Sequence, residues 1–300
     1  PAGPIRLDSA VGADKKAAFV VLSLFFANVY FNKKHAMNAI ELLQDLMRRV
    51  AAQEIMPYYL KVESARKADG SMLSKADLAA QQAFECRLPE IIDAPVLVEE
   101  MTSEKQHLLW NSAQQGLWVL DPLDGTNNFV NGIPHFAVSV AYVQHGRAQL
   151  GVVYNPVSQE CFSAVRGQGA WLNGTPLPLR CVPKSLREAV AGVEIRRLRP
   201  ARLVNSINNF APFGTLRSMG SSTLDWCYLA AGRYDIYVHG GQNLWDYAAG
   251  ALIFEESGGL LATLEGDSFW SGQHAFQRSA IAAGQPALFE SWLKWIRNNQ

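Results

Sequence analysis

The sequence has few cysteines, and it has no excess of charge of either sign. The four cysteines include no C-x-x-C pair and no zinc-like spacing: Cys86, Cys161, Cys181 and Cys227. We therefore expect free, mostly buried thiols in a reducing cytosol, not a disulfide framework or a zinc site. The 27 basic and 27 acidic residues give a formal net charge of +0. Without a net field or a basic run, direct nucleic-acid binding is not expected.

The sequence also lacks an apolar run long enough to span a bilayer. Residues 17–31 are nearly all apolar, with lysine pairs at 15–16 and 33–34, but this run is too short for a standard transmembrane helix. It is similar to the apolar core of a signal peptide, yet no convincing cleavage site follows. We predict that residues 1–36 are a non-native or disordered extension; a membrane-proximal anchor is the alternative. The folded domain is predicted to begin at Met37, in the cytoplasm and without a membrane partner.

Helical patterns open that domain. Apolar residues recur at helical spacing from Met37 to about Lys61, and Pro57 is expected to kink or end this helix. Ser74 and Asp77 have the form of a capping box, which predicts a second helix that ends before Pro89.

Strand patterns dominate the middle of the chain. Alternating or apolar runs between residues 136 and 172, with Asn173-Gly174 as a hairpin turn, predict an antiparallel sheet. Beyond Pro178 the pattern changes to alternating strands and helices. This order predicts a layered α/β sandwich, not a Rossmann unit, with halves at 37–178 and 179–300.

Two carboxylates follow an apolar run in the centre of the sequence. Residues 117–120 predict a buried strand that stops at Pro122, which cannot donate a hydrogen bond to a sheet ladder. Asp121 and Asp124 are costly at the end of a buried strand unless a cation lies between them. A divalent metal is the simplest candidate, and the Leu123 carbonyl could be a further oxygen ligand.

Other polar groups also fall at predicted junctions between elements. Gly125 and Thr126 offer amide and hydroxyl groups for a phosphate at the start of a helix, although a tight acidic turn is the alternative. Glu99-Glu100 ends a short strand and could simply be solvated. Asp246 heads a helix rich in small residues and could simply be an N-cap. The segment 220–223, Gly-Ser-Ser-Thr, suits either capping or a polar substrate edge. Acids at several such junctions favour a functional site.

Two longer segments carry a family resemblance. Residues 121–129, Asp-Pro-Leu-Asp-Gly-Thr-Asn-Asn-Phe, and residues 245–259, beginning Trp-Asp-Tyr-Ala-Ala-Gly, resemble the two signatures of the inositol monophosphatase family. The resemblance covers Met37 to the C-terminus and includes Lys67 to Asp77 and the segment 151–174. It implies an αβαβα sandwich with an antiparallel N-terminal sheet and a mixed C-terminal sheet. It also implies Mg²⁺-dependent, lithium-sensitive phosphatase activity.

The resemblance further implies a role for individual residues. The implied metal ligands, for two or three Mg²⁺ and no organic cofactor, are Glu99, Asp121, Asp124, Asp246 and the Leu123 carbonyl. The implied catalytic residues are Asp77, Glu99 and Thr126, where Asp77 accepts a hydrogen bond from the Thr126 hydroxyl and helps to orient the attacking water. The implied substrate contacts are Asp124, Gly125, Thr126, Gly220, Ser221, Ser222, His239 and Asp246.

The sequence departs from the family pattern at two places. Val98 precedes the acid pair where the family usually has glycine, so the choice between Glu99 and Glu100 as metal ligand stays open. His239 lies seven residues before Asp246, where inositol-cleaving members have a glutamate. His239 could hydrogen-bond the substrate, meet a second phosphate, or simply end a strand.

We therefore expect a Mg²⁺-dependent phosphatase for a small phosphorylated polyol or sugar, with inositol 1-phosphate as the leading substrate. Fructose 1,6-bisphosphate, histidinol phosphate and 3′-phosphoadenosine 5′-phosphate are alternatives. A mainly regulatory, protein-binding role in RNA metabolism is the alternative from another class. A homodimer is expected from the resemblance alone.

Overall fold

A computed structural model describes residues 35–61, 64–66, 72–112, 115–182, 184–271 and 274–300. The described residues from Ile40 to Gln300 form one compact unit. The extension and anchor hypotheses for residues 1–36 therefore fall almost entirely outside the described residues. No helix in the described ranges is long and apolar enough to cross a membrane.

The first sheet has seven strands in sequential order. They are β3 (Val96–Val98), β4 (Leu117–Asp124), β5 (Ala137–Gln144), β6 (Arg147–Asn155), β7 (Glu160–Val165), β8 (Gly169–Leu172) and β9 (Thr175–Pro176). All neighbours pair antiparallel except β3 and β4, which are parallel. The Asn173-Gly174 turn joins β8 and β9 as predicted, and both residues have positive φ, 48° and 81°. The sheet is therefore antiparallel except at its β3 edge, which the sequence analysis did not foresee.

The prediction that β4 stops at Pro122 is wrong. The strand continues to Asp124, and its pairing with β5 shifts register between Asp121 and Asp124. Pro122 and Leu123 lie inside this irregularity, where no regular ladder hydrogen bond is required of the proline. The bulge therefore lets one strand end carry two carboxylates and a proline.

The second sheet has five strands in the order β11-β10-β12-β14-β13. They are β10 (Val190–Glu194), β11 (Thr215–Arg217), β12 (Ile236–Gln242), β13 (Leu260–Ala262) and β14 (Arg278–Ala283). The strands β10, β11 and β12 run parallel, and β14 is antiparallel to both of its neighbours. This sheet is mixed, as the resemblance implied.

Eight helices lie in the described ranges. They are α1 (35–50), α2 (Lys75–Ile91), α3 (Ser103–Ser112), α4 (Thr126–Val130), α5 (Ala201–Phe210), α6 (Ser222–Ala230), α7 (Leu244–Glu256) and α8 (Pro286–Asn299). A π turn (Ala51–Ile55) and a 3₁₀ turn (Met56–Tyr58) follow α1, so Pro57 lies where the helical path ends. A hairpin of β1 (Ser64–Arg66) and β2 (Met72–Ser74) precedes α2. Residues 67–71, which contain the first part of the family-like segment, lie outside the described residues.

Two predictions about helix ends are corrected. The helix α2 runs through Pro89 to Ile91, because a proline in the last turn removes only one backbone donor there. The helix α1 already includes residues 35 and 36, before Met37. The Ser74–Asp77 capping box at the start of α2 is confirmed.

The layers alternate as α, β, α, β, α. The helices α6 and α7 pack between the sheets, since one apolar cluster joins their residues to inward-facing residues of both, such as Val119, Tyr237 and Ala282. The outer face of the second sheet, for example Val238 and Ile281, packs on α5 and α8. The helix α2 packs on β4 from the opposite side of the molecule. The predicted layered sandwich is confirmed.

Close approach of α7 to the first sheet depends on a small residue on each side. A Cβ at Gly151 would lie 2.9 Å from the Ala249 Cα, which is closer than van der Waals contact allows. The small-residue face of α7 therefore lets the helix, and with it Asp246, lie directly on β6. The cysteine prediction is only partly right, because Cys86 and Cys181 are exposed while Cys161 and Cys227 are buried.

Candidate active site

The loop after β4 is held by its own backbone and side chains. The Leu123 N–H donates to Asp121 Oδ1 at 3.0 Å, and Asp121 is buried. Gly125 is the N-cap of α4, and its φ of +84° is a backbone conformation that residues with a side chain rarely adopt. Asn128 in α4 donates to the His135 carbonyl and to the Met219 carbonyl, both at 2.7 Å. These bonds join the loop to the polypeptide just before α6.

Asp124 is oriented by the start of α6. Its Oδ2 accepts hydrogen bonds from the Ser221 hydroxyl (2.6 Å), the Thr223 hydroxyl (2.6 Å) and the Thr223 N–H (2.8 Å). Ser221 and Thr223 are themselves buried. The 220–223 segment therefore supports a carboxylate, and the Ser221 hydroxyl hydrogen is already donated to Asp124.

Asp246 reaches the site from α7. The N-cap of this helix is Asn243 rather than Asp246, so the simple N-cap interpretation is wrong; Asp246 is the third helical residue. Its Oδ2 accepts a hydrogen bond from the Asn243 N–H at 2.8 Å. This bond holds the carboxylate toward the positive end of the helix, which favours its negative charge.

Three carboxylates thus share one pattern. In Asp121, Asp124 and Asp246, one oxygen accepts hydrogen bonds from neighbouring donors, and the other oxygen accepts none from the residues that the structure describes. Fixed carboxylates with an oxygen to spare are the donors that hard divalent cations take. The chemistry of the donor set therefore fits Mg²⁺.

These carboxylates repel one another. Burial raises the pKa of Asp121 well above its ordinary value, and the charges of Glu99, Asp124 and Asp246 raise it further. Burial, followed by the charges of Asp124 and Glu99, likewise raises the pKa of Asp246. No three His, Cys, Asp or Glu side chains in the described ranges are already gathered closely enough to hold a metal ion. The charges of Glu99 and Asp124 nevertheless act on both Asp121 and Asp246, so these acids lie near one another.

Almost every predicted site residue lines one cavity of about 570 Å³. Its lining includes Glu99, Asp121, Leu123, Asp124, Gly125, Thr126, Gly220, Ser221, Ser222, His239 and Asp246. Glu99 also lines an adjoining cavity of about 920 Å³, whereas Glu100 lines only the adjoining one. This placement favours Glu99 over Glu100 as the acid that faces the carboxylate group.

Asp77 is the one predicted site residue that does not line this cavity, and it contacts the site through Thr126. The Thr126 hydroxyl lies 3.2 Å from Asp77 Oδ1 and 2.9 Å from the Leu123 carbonyl. Asp77 Oδ2 accepts hydrogen bonds from the Ser74 hydroxyl and N–H. Burial raises the pKa of Asp77 to about 6, against the lowering effect of those Ser74 bonds. The capping box of α2 therefore also positions a buried carboxylate behind Thr126.

His239 lies on β12, beside Glu194 in the parallel pairing with β10. It is buried, and its Nδ1 accepts a hydrogen bond from the Gly241 N–H at 3.1 Å. Burial, helped by the nearby Arg197 charge, lowers the pKa of His239 to about 3. The ring is therefore neutral near pH 7, and since Nδ1 is an acceptor, Nε2 carries the hydrogen.

The sequence analysis did not identify two positively charged residues of this cavity. Arg196 and Arg197 line the same cavity, together with the acids Glu194 and Asp225. The signal was present, because four arginines fall within residues 196–202. The expectation of no basic run is therefore wrong: overall neutrality concealed a local cluster.

Comparisons with known proteins establish the family of this chain. The model of the inositol monophosphatase family matches residues 33–300. Nus factor SuhB of Pseudomonas aeruginosa is 43% identical over 188 residues, which cover 60% of this chain and 67% of that protein. Nus factor SuhB of Pasteurella multocida is 36% identical over 240 residues, covering 79% and 86%. The solved IMPase of Thermotoga maritima is 27% identical, with a TM-score of 0.73, and the match covers 87% of this chain and 97% of that one. This chain belongs to the inositol monophosphatase family.

Proposed function

We propose that this protein is a Mg²⁺-dependent phosphatase that hydrolyses a phosphomonoester of a small polyol or sugar, with inositol 1-phosphate as the leading substrate. One observation carries the proposal. Three carboxylates, the buried Asp121 and the partly buried Asp124 and Asp246, each have one oxygen that accepts hydrogen bonds from neighbouring donors and a second oxygen that accepts none from the described residues. Family membership supports phosphatase chemistry at this cavity.

The proposed metal ligands are the carboxylates of Glu99, Asp121, Asp124 and Asp246 and the Leu123 carbonyl, for two or three Mg²⁺. When bound, the metal supplies Lewis-acid polarisation of the phosphoryl group and lowers the pKa of a water molecule. The protein contributes orientation, because the Ser221 and Thr223 bonds fix which oxygen of Asp124 faces the cavity.

Thr126 has only one hydroxyl hydrogen for two acceptors, Asp77 and the Leu123 carbonyl. If the Leu123 carbonyl is engaged as a metal ligand, the hydrogen is donated to Asp77. The Thr126 oxygen would then keep its lone pairs, with which it could accept a hydrogen bond from the attacking water. The amides of Gly125 and Thr126 are the proposed phosphate contacts.

Gly220, Ser222 and His239 are the proposed contacts to the alcohol part of the substrate, since they line the cavity on its other sides. The Ser221 oxygen is left as an acceptor for a substrate hydroxyl, because its hydrogen is donated to Asp124. Neutral His239 would donate from Nε2 to a hydroxyl. We also propose, from family likeness alone, a homodimer that acts in the cytoplasm.

A phosphate-release panel tests the proposal. It compares inositol 1-phosphate, fructose 1,6-bisphosphate, histidinol phosphate and 3′-phosphoadenosine 5′-phosphate, with Mg²⁺, with EDTA, and with Mg²⁺ plus Li⁺. We expect Mg²⁺-dependent, Li⁺-inhibited release, fastest from inositol 1-phosphate among the monophosphates. Absence of release from every substrate with Mg²⁺ present would refute the enzyme.

A regulatory role is the second candidate, because the relatives at 33–43% identity named above and from Escherichia coli carry the name Nus factor SuhB. The discriminating experiment is complementation of a deletion strain by wild type and by Asp124→Asn. Rescue by both proteins would favour the regulatory role, and rescue by wild type alone would favour the phosphatase.

A further inference from the structure

The segment that follows β10 forms a fixed turn beside the cavity. A 3₁₀ turn, Ile195–Arg197, follows Glu194, whose Oε1 accepts a hydrogen bond from the Arg196 N–H at 3.2 Å. Glu194 Oε2 accepts a further bond from the Ser218 hydroxyl at 3.1 Å. A Cβ at Gly240 would lie 2.0 Å from the Arg197 carbonyl oxygen, so the backbone of β12 lies directly against the turn. These contacts fix the backbone of the turn, although the Arg196 and Arg197 side chains are exposed.

The guanidinium groups on this turn are not used within the protein. Arg196 and Arg197 line the cavity, and neither side chain makes an ion pair or a hydrogen bond to the residues that the structure describes. Other arginines do: Arg233 pairs with Glu160, and Arg278 pairs with Asp267. Unpaired arginines in a cavity wall are available for a ligand.

The basic wall extends beyond the catalytic cavity. Arg197 and Asn243 also line a neighbouring cavity of about 530 Å³, to which Arg199 contributes a third guanidinium. The wall and the predicted metal ligands therefore face connected space. The cavity has an acidic part, with Asp121, Asp124 and Asp246, and a basic part formed by the turn.

Arg197 is close enough to act on the site electrically. Its charge contributes, after burial, to the lowered pKa of His239. Two acids share this part of the cavity, Glu194 and Asp225. Glu194 accepts hydrogen bonds from the Arg196 N–H and the Ser218 hydroxyl, and neither acid forms an ion pair with Arg196 or Arg197.

We propose that Arg196 and Arg197 form a subsite for a second phosphate group, so that a small bisphosphate is hydrolysed with a higher kcat/KM than the corresponding monophosphate. The inference rests on the proposed phosphatase function, because the first phosphate must bind at the carboxylates. The guanidinium fork matches phosphate oxygens with paired hydrogen bonds, which a neutral polyol hydroxyl cannot return with equal strength. Neutral His239, which lies near Arg197, adds a donor without adding charge.

The test measures a selectivity ratio. We compare kcat/KM for inositol 1,4-bisphosphate against inositol 1-phosphate, and for fructose 1,6-bisphosphate against fructose 1-phosphate, by phosphate release with Mg²⁺. Wild type should prefer the bisphosphate by about tenfold or more, the size expected of a charge-assisted hydrogen bond. In the double variant Arg196→Ala/Arg197→Ala the ratio should fall close to one, through a higher KM for the bisphosphate. Arg196→Lys/Arg197→Lys should restore part of it.

The matched control is Arg147→Ala/Arg187→Ala, which removes two exposed arginines that do not line the cavity. This control should keep the wild-type ratio. A ratio that is unchanged in the Arg196/Arg197 variant, with monophosphate hydrolysis intact, overturns the subsite and leaves the proposed phosphatase standing. Absence of hydrolysis of every compound overturns both.

Residues 196–202 contain four arginines, and a nucleic acid is the alternative ligand for such a basic segment. Anisotropy of a short fluorescein-labelled RNA, with wild type and the double alanine variant, addresses it. RNA affinity that the double variant loses, together with an unchanged selectivity ratio, would assign the turn to nucleic acid and overturn the bisphosphate subsite.

Discussion

Two groups of charged side chains, each with a buried member, hold their carboxylates in opposite ways. On β14, the fully buried Arg278 donates from Nη1 to both oxygens of Asp267 and from Nη2 to the Ser271 carbonyl and hydroxyl. Although burial opposes it, hydrogen bonds from Ser271 and Arg278 lower the pKa of Asp267. In the candidate active site, burial and neighbouring acids raise the pKa of Asp121 and Asp246 instead.

The two groups differ in whether the protein itself supplies a positive charge to balance the carboxylates. The Arg278–Asp267 group contains its own cation, so its charges are balanced when the protein folds. Asp121, Asp124 and Asp246 form no ion pair with a described side chain. Arg196 and Arg197 bring positive charge to the wall of the same cavity. Like charges held close together cost free energy, and the cation proposed above would offset that cost.

The largest expected effect separates the two groups by activity. Asp246→Asn removes a charged ligand, so kcat for inositol 1-phosphate should fall by at least about 100-fold, the scale of losing one group that stabilises transition-state charge. Asp267→Asn, the matched change in the other group, should keep a kcat close to wild type per folded molecule. Phosphate release with saturating Mg²⁺ measures both. Near-normal turnover by Asp246→Asn would contradict the assignment of a catalytic role to the cavity carboxylates and not to the Arg278–Asp267 group.

The second prediction separates the groups by stability. Asp267→Asn leaves Arg278 buried without its counter-charge and should lower the free energy of unfolding by about 2–3 kcal/mol, at the low end for a buried pair because the Asp267 side chain is 30% exposed. Because Asp267 has a lowered pKa, this contribution is fully present above the unfolded pKa of about 3.9. It is lost progressively as the pH falls from there through the lower pKa of the folded protein, so it should be reduced but not abolished near pH 3. Urea denaturation at neutral pH and near pH 3 measures the difference.

Asp246→Asn provides the contrast in the same urea experiment. In EDTA, the substitution removes a charge that repels the neighbouring carboxylates. The free energy of unfolding should therefore stay the same or rise. A loss as large as that of Asp267→Asn would show that the cavity carboxylates stabilise the fold, contrary to the comparison.

The smallest effect concerns the support of Asp124. Ser221→Ala removes one of three hydrogen bonds to Asp124 Oδ2, while both Thr223 bonds remain, so kcat/KM should fall by about tenfold. The Mg²⁺ concentration for half-maximal activity should rise as well, which loss of a substrate contact alone would not cause. Ser163→Ala, at a buried serine of β7 outside the cavity, is the control. An unchanged Mg²⁺ requirement would contradict the support role.

Much of the site could be predicted because its residues lie in short local signatures. Asp121, Asp124 and Asp246 each follow from strand and helix ends, and the Ser74–Asp77 capping box is a local pattern. The Asp124 bonds to Ser221 and Thr223 could not be predicted from periodicity, since 97 and 99 residues separate the partners.

The failures have physical causes of the same kind. Pro122 was expected to stop β4, but a bulge gives the proline a position without a ladder bond. Arg196 and Arg197 were overlooked because a net charge of zero averages over the chain, while a ligand responds only to the charges near it. In both cases, tertiary placement decided what local pattern and composition left open.

The most direct test of the central claim is Mg²⁺ binding itself. Isothermal titration of EDTA-treated, dialysed protein with Mg²⁺, for wild type and Asp124→Asn, measures whether the carboxylates hold the metal. We predict saturable binding of at least one Mg²⁺ per wild-type chain and clearly weaker binding to Asp124→Asn. Equal binding by the two proteins, or none by wild type, would contradict the assignment of this cavity as a metal-dependent active site.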